Sequence, residues 1–318
     1  MTLRLASRGS TLALWQAHHV QALLQSLHAE LSVDIEVLHT TGDRILDVPL
    51  AMIGDRGLFT KEIDAAVLDG RAHCAVHSFK DVPTKLTDGL TLAAVLVRED
   101  ARDAYLPAPG RPHALRALPT ASRVGTSSLR RRALLLAARS DLVVDDLRGN
   151  LDTRFRKLHD GEYDAILLAL AGVRRFGRES EVGELLGSPH WLPAAGQGAL
   201  AMVARMDDHA TLARLRPLDH EHTRAATTAE RAFLGALEGG CQIPIGALAT
   251  VANERLSLEG LVAAVDGSVV IRGEAVGAAG DPEAVGRQLA RQLIERGADD
   301  VLRAVRTLSP RMTPPAAP

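Results

Sequence analysis

Two short segments set small hydroxylated residues and arginine together at the apparent start of a helix. They are Ser7-Arg8-Gly9-Ser10-Thr11, and Gly125-Thr126-Ser127-Ser128 followed by Arg130-Arg131-Arg132. Such a turn offers free backbone N–H groups to an anion, and the helix dipole adds to the attraction. Capping alone would account for the serines. The arginines tip the reading, because a cation in a first helical turn opposes the dipole and is better explained as the partner of a bound anion. More arginine follows at Arg148, Arg154 and Arg156 in LRGNLDTRFRK, and the clustering suggests one ligand with several carboxylates. Neither G-x-x-x-x-G-K-[ST] nor G-x-G-x-x-G occurs, which disfavours a nucleotide.

A second chemical element is Lys80-Asp81 in HSFKDVP, after a strand-like run and before a proline. A carboxylate among arginines stays ionised and is suited to stabilising a cationic intermediate or passing a proton to a leaving group. The two cysteines differ in setting. Cys241 lies in Gly-Gly-Cys-Gln, where an accessible thiol can serve as a covalent attachment point, whereas Cys74 sits in the apolar CAVHSF and reads as a buried small hydrophobe. The twelve histidines form no convincing ligand set, so no metal is expected.

The elements that must position these groups alternate over the first two thirds of the chain. Strands are expected at 3–7, 33–40, 74–79 and 90–97, with helices from Thr11 and over 60–69. The proline-rich 107–113 reads as a linker. The pattern then restarts with strands at 123–126, 142–148 and 163–170 and helices at 129–139 and 150–161, and a further strand is expected at 199–206. Strands alternating with helices imply parallel pairing, with ligands at the carboxyl ends of the strands. After breaks at 188–198 and 216–222 the character changes. A helix over 227–237, a strand leading into the hairpin signal Asp266-Gly267, and a final helix capped by Asp281 describe a small α+β domain. The expected division is 1–98 with 198–216, then 102–192, then 220–308, with 309–318 a disordered proline-rich tail.

The chain has 318 residues, 46% hydrophobic and 24% charged, which suits a globular protein of two or three domains. Only four of its 37 basic residues are lysine, and the net charge is −2. That balance, with 3% aromatic residues, argues against a nucleic-acid binder. No run approaches the roughly 20 apolar residues of a membrane span and MTLRLASRGS lacks a secretion-signal core, so a cytoplasmic location is expected.

Taken together, ASRGSTLALWQA, GLFTKEID, AVHSFKDVP, GTSSLRRRA, LRGNLDTR, YDAILLALAGVRR, LPAAGQGAL and GGCQIPIGA resemble the porphobilinogen deaminase (hydroxymethylbilane synthase) family, over about residues 6 to 247. The resemblance implies two periplasmic-binding-protein-like α/β domains plus a smaller C-terminal α+β domain, with the active site in the cleft between the first two. It implies a monomer that condenses four porphobilinogen units on a dipyrromethane cofactor held by a thioether to Cys241, with no membrane or nucleic-acid partner. Carried over position by position, Asp81 and Lys80 are catalytic. The cofactor is held by Cys241, Lys80, Asp81, Thr126, Ser128, Arg130, Arg131 and Arg148, and the substrate by Arg8, Ser10, Gln16, Phe59, Arg154, Arg175 and Gln197. Loss of ammonia from the substrate leaves a cationic azafulvene that Asp81 would stabilise. Ahead of GLF, where family members often carry two lysines, this chain has Met52 and Arg56. The rival reading is an anion-binding module on the same two-lobed fold, and Cys241 with the third domain favours the enzyme.

Overall fold

Alternation along TLRLASR buries Leu3 and Leu5 on one side of β1 (Thr2–Arg8), with Ala6 buried on the other. In this computed structural model, which describes residues 2–40, 60–237 and 243–308, β1 lies in a five-stranded sheet. Its order is β2 (Ser32–Leu38), β1, β3 (Cys74–Ser78), β10 (Leu200–Arg205), β4 (Leu90–Val95). A second sheet repeats the plan as β7 (Val143–Asp145), β6 (Arg123–Gly125), β8 (Ala165–Ala169), β5 (Asp103–Pro107), β9 (Glu184–Leu186). Helices α1 (Thr11–Leu27) and α2 (Lys61–Leu68) belong to the first domain. The second holds α3 (Leu129–Ala138), α4 (Leu151–His159) and α5 (Leu170–Arg175).

The expectation of purely parallel sheets is corrected. β1 runs parallel to β2 and β3, and β6 to β7 and β8, but β10 is antiparallel to β3 and β4, and β5 to β8 and β9. The reversed strand of each sheet follows a passage between the domains: β5 opens the second domain, and β10 returns to the first, so the first sheet is completed by a strand from beyond the second domain's sequence. Residues 107–113 are not the linker expected: Pro107 ends β5, and the N–H groups of Ala108 and Arg111 turn the chain within the second domain, donating to the carbonyls of Asp164 and Ala108. The passage between domains is instead at 96–102 and again at 187–199. The two crossovers touch where the Glu99 N–H donates to the Gly198 carbonyl (3.3 Å). Gly198 has φ +92°, and a Cβ there would lie 2.3 Å from the Glu99 carbonyl oxygen, so only glycine permits the approach.

After α6 (His209–Leu215), the third domain is an antiparallel meander, β11 (Ile245–Ala252), β12 (Arg255–Ala263) and β13 (Val270–Ala278). It is covered by α7 (Glu221–Ala236), α8 (Pro282–Glu295) and α9 (Ala298–Leu308). Phe233, Leu258, Leu289 and Leu293 form its core, each burial being worth about 1.5–3 kcal/mol. Helix α7 begins earlier than expected, because the His220 ring accepts from the Thr223 N–H and caps it (3.3 Å). The apolar stripe of α8 was expected on the final helix, but α9 follows it. Fully buried Glu230 of α7 fastens this domain to the crossovers. It accepts two hydrogen bonds from Arg98 (2.5 and 3.1 Å), one from the Gly196 N–H (2.7 Å) and one from the Ala249 N–H (2.8 Å). Cys241, Phe59, Met52, Arg56 and the 309–318 tail lie outside the described residues.

Candidate functional site

The carboxyl ends of β1, β3 and β8 and the segment that follows β7 converge on a cleft between the first two domains, enclosing a cavity of about 260 Å³. Strand β3 stops at Ser78 and a single 3-10 turn, Phe79–Asp81, follows. Phe79 anchors this turn. Its side chain is buried, its N–H donates to the Ala199 carbonyl (3.0 Å), and the Arg231 guanidinium lies 4.8 Å over its ring. With Phe79 pinned, Lys80 and Asp81 line the cleft. Gly196, with φ +74°, lets the second crossover run against the turn, where a Cβ would sit 3.2 Å from the Lys80 nitrogen.

Among the described residues, the cleft lining holds six cations, Arg8, Lys80, Arg131, Arg148, Arg154 and Arg175, against two carboxylates, Asp81 and Asp152. Burial and the neighbouring Arg131 push the Lys80 ammonium down to about 8, although Asp81 and Asp103 pull the other way. Burial likewise brings Arg154 down to about 10, helped by Arg131 and Arg148. Groups forced this close with like charge form a site short of negative charge, which an anionic ligand completes.

Several of these side chains are already oriented. Gln16 donates to the Ser78 hydroxyl (2.8 Å), Arg154 Nε donates to the Gly149 carbonyl (2.8 Å), and Arg175 donates to the Gly198 carbonyl (2.7 Å) while lying over the Trp15 ring (5.8 Å). Across the cleft, the Thr11 hydroxyl donates to Asp152 (3.1 Å), joining the two domains. Ser10 caps α1 by accepting from the Ala13 N–H (3.3 Å) and still faces the cavity.

Among the described residues, four expected ligand residues are not in the lining. Ser128 caps α3 by accepting from the Arg131 N–H (3.4 Å), and Thr126 accepts from the Ser128 N–H (3.2 Å). Arg130 is buried and donates to Asp103 (2.6 Å) and to the Leu192 carbonyl (2.7 Å). Gln197 donates to the Ala101 carbonyl (2.7 Å) and to Asp103 (2.8 Å). The anion inferred from cations in the first turn of α3 is therefore, for Arg130, the protein's own Asp103. Neither Asp103 nor Trp191, which also donates to it (2.7 Å), stood out in the sequence. Burial opposes the ionised Asp103, but Arg130 and Arg131 outweigh it and hold the carboxyl well below the usual range. Cys74 is fully buried, and burial raises its thiol. Among the described residues no group of three or more His, Cys, Asp or Glu side chains is placed to hold a metal, and no helix is long and apolar enough to cross a membrane.

Comparison with known proteins adds to this geometry. A family model described as porphobilinogen deaminase, dipyromethane cofactor binding domain, matches residues 3–213. A second, described as porphobilinogen deaminase, C-terminal domain, matches residues 225–295. A curated porphobilinogen deaminase from Chromobacterium violaceum is 52% identical over 301 residues, covering 95% of this chain and 97% of its own. Among solved structures, the methionine binding protein MetQ gives a TM-score of 0.44 at 11% identity, over 74% of this chain and 94% of its own. The periplasmic VFT2 domain of Bordetella pertussis BvgS gives 0.42 at 14%, over 68% and 85%.

Proposed function

The chain belongs to the porphobilinogen deaminase family, and from that premise we propose that it is a cytoplasmic, monomeric transferase. On this reading it deaminates and joins four porphobilinogen units head to tail on a dipyrromethane primer attached through a thioether to Cys241, then releases hydroxymethylbilane by hydrolysis. The observation that carries the reading is the cleft's charge, six cations against two carboxylates around the Phe79–Asp81 turn. A dipyrromethane made from two porphobilinogen units has four carboxylates, which fits that excess.

Lys80, Arg131 and Arg148 would hold the cofactor's carboxylates, and Arg8, Ser10, Gln16, Arg154 and Arg175 those of the substrate. The bound cofactor supplies the nucleophilic pyrrole carbon. Asp81, at the end of β3, accepts pyrrole N–H groups, stabilises positive charge as ammonia leaves the substrate, and is the candidate for moving the proton to the departing amine. Thr126, Ser128, Arg130 and Gln197 support the wall behind these groups. The Thr11–Asp152 contact and the Glu99–Gly198 contact keep the two halves in register.

Intact mass of the purified protein tests the reading. An adduct of two pyrrole units is expected, lost in Cys241→Ser and retained in Cys74→Ser. Loaded Asp81→Asn should fold and lose roughly 10²–10⁴ in turnover, the range for a positioned acid–base or electrostatic group. An active enzyme without an adduct, or Asp81→Asn turnover within about threefold of the parent, would overturn it.

A further inference from the structure

We propose that Asp103, buried where the two crossovers meet α3, is a positioning residue for the reaction: it fixes Arg131 in the cleft wall and balances the charge around Lys80. The proposal rests on the family reading above but is argued from this chain's own geometry. Asp103 takes five hydrogen bonds on two oxygens. Oδ1 accepts from Arg131 Nε (3.1 Å), Arg131 Nη2 (2.8 Å) and Gln197 Nε2 (2.8 Å), and Oδ2 accepts from Arg130 Nη1 (2.6 Å) and Trp191 Nε1 (2.7 Å). That saturates the roughly four lone-pair sites of a carboxylate, so none is left for a ligand.

Arg131 is the member of this set that reaches the cavity. Its third nitrogen, Nη1, donates to the Leu167 carbonyl (3.1 Å), so every guanidinium nitrogen is held by the protein. A donor fixed in this way meets a carboxylate without reorganising when the ligand arrives. The crossovers do not need Asp103 merely to stay together, since the Glu99–Gly198 contact and the Glu230 cluster also join or anchor them.

The charge argument concerns the same cleft wall, which Lys80 lines together with the Asp103-bound Arg131. Among the described residues, Arg131 and Arg130 disfavour the Lys80 cation, and Asp81 and Asp103 favour it. Removing Asp103 takes away one of these two favouring carboxylates and leaves both arginines in place. Lys80 is cationic below about 8 and neutral above it. Removing a neighbouring negative charge disfavours the cation, so the midpoint must move to lower pH.

The test is Asp103→Asn, which keeps the shape and removes the charge. Two readouts are needed. The first is the pH dependence of Lys80 amine reactivity, by trace labelling and peptide mass spectrometry, with exposed Lys85 as internal control. It does not depend on turnover. The second is kcat/KM for porphobilinogen against pH, on protein whose adduct has been quantified by intact mass. The expected result is a Lys80 midpoint displaced to lower pH, Lys85 unmoved, a basic limb of kcat/KM displaced with Lys80, and kcat/KM reduced roughly tenfold to a hundredfold in the folded fraction. Asp103→Glu, which restores the charge, should bring the Lys80 midpoint back toward the parent's. A folded Asp103→Asn with the parent's Lys80 midpoint and the parent's pH profile overturns the proposal. If Asp103→Asn does not fold, Arg130→Met decides with the opposite sign: removing a cation should raise the Lys80 midpoint, and an unmoved midpoint overturns the proposal. A parent protein that makes no product from porphobilinogen defeats the functional reading instead, and the labelling still reports whether Asp103 sets the state of Lys80.

Discussion

The two strand-to-helix turns begin from nearly the same residues and end in opposite roles. After β1, Ser10 caps α1 and Arg8 faces the cavity. After β6, Ser128 caps α3, but Arg130 is sealed against Asp103 and the Leu192 carbonyl. The difference is what lies over each turn. The first opens toward the other domain, whereas the second is roofed by the crossover that carries Trp191, Leu192 and Gln197. A local motif therefore specifies the cap, and residues distant in sequence decide whether the adjoining cation meets solvent and ligand or becomes part of the interior.

The sharpest way to break this comparison is to remove each cation in turn. Arg130→Leu should cost about 3–5 kcal/mol of stability, the usual consequence of leaving one partner of a buried ion pair alone. Urea unfolding of the loaded protein checks it, and a loss under about 1 kcal/mol would mean that Asp103 is adequately held by Arg131, Trp191 and Gln197. Arg8→Leu should do the reverse. Its kcat/KM should fall roughly 10 to 150-fold, the equivalent of one charge-assisted hydrogen bond at about 1.5–3 kcal/mol, with stability within about 0.5 kcal/mol of the parent. Steady-state kinetics and thermal unfolding on the same sample separate the two effects, and equal destabilisation in both variants would erase the distinction between the turns. The smallest effect belongs to Arg287→Leu, which removes only an exposed pair with Glu283 one helical turn away (2.8 Å). Kinetics should not change, and stability should fall by no more than about 0.5 kcal/mol.

Much of this was legible locally. Short apolar runs located β1, β3 and β10, strands covered on both faces, and helical spacing located α1 and α8, which bury one face. The cleft cations were legible because Arg8, Lys80 and Arg148 lie at or just beyond strand ends, where an open α/β sheet gathers its ligand groups, and Arg154 lies in the first turn of the helix that follows Arg148. The strand β5 was not. Asp103–Pro107 received no strand reading, standing between the strand expected at 90–97 and the linker expected at 107–113, and antiparallel pairing with β8 and β9 makes it an inner strand. The same blindness hid Asp103, which within REDARD looks like one more surface charge until Arg130, Arg131, Trp191 and Gln197 close over it. Helix α7 was read too short at its start, since HTRAATT has no apolar stripe and its first turn depends on a histidine cap.

The late return of β10 to the first sheet also bears on how the chain is made. The first sheet cannot be completed until β10 has been synthesised, because β4 ends at Val95 and its neighbour begins only at Leu200. The second sheet lies wholly between Asp103 and Leu186. On a ribosome, domains fold as units when their last strand emerges, and non-local pairings wait longest. The domain that is second in sequence is thus expected to become protease-resistant first. Nascent chains arrested so that Gly198 has just left the exit tunnel, digested briefly with protease, should yield a protected fragment from the second domain while the first remains cleavable. Moving the arrest point until Arg205 has also emerged should protect both, and protection of the first domain at the earlier point would show that four strands suffice without β10.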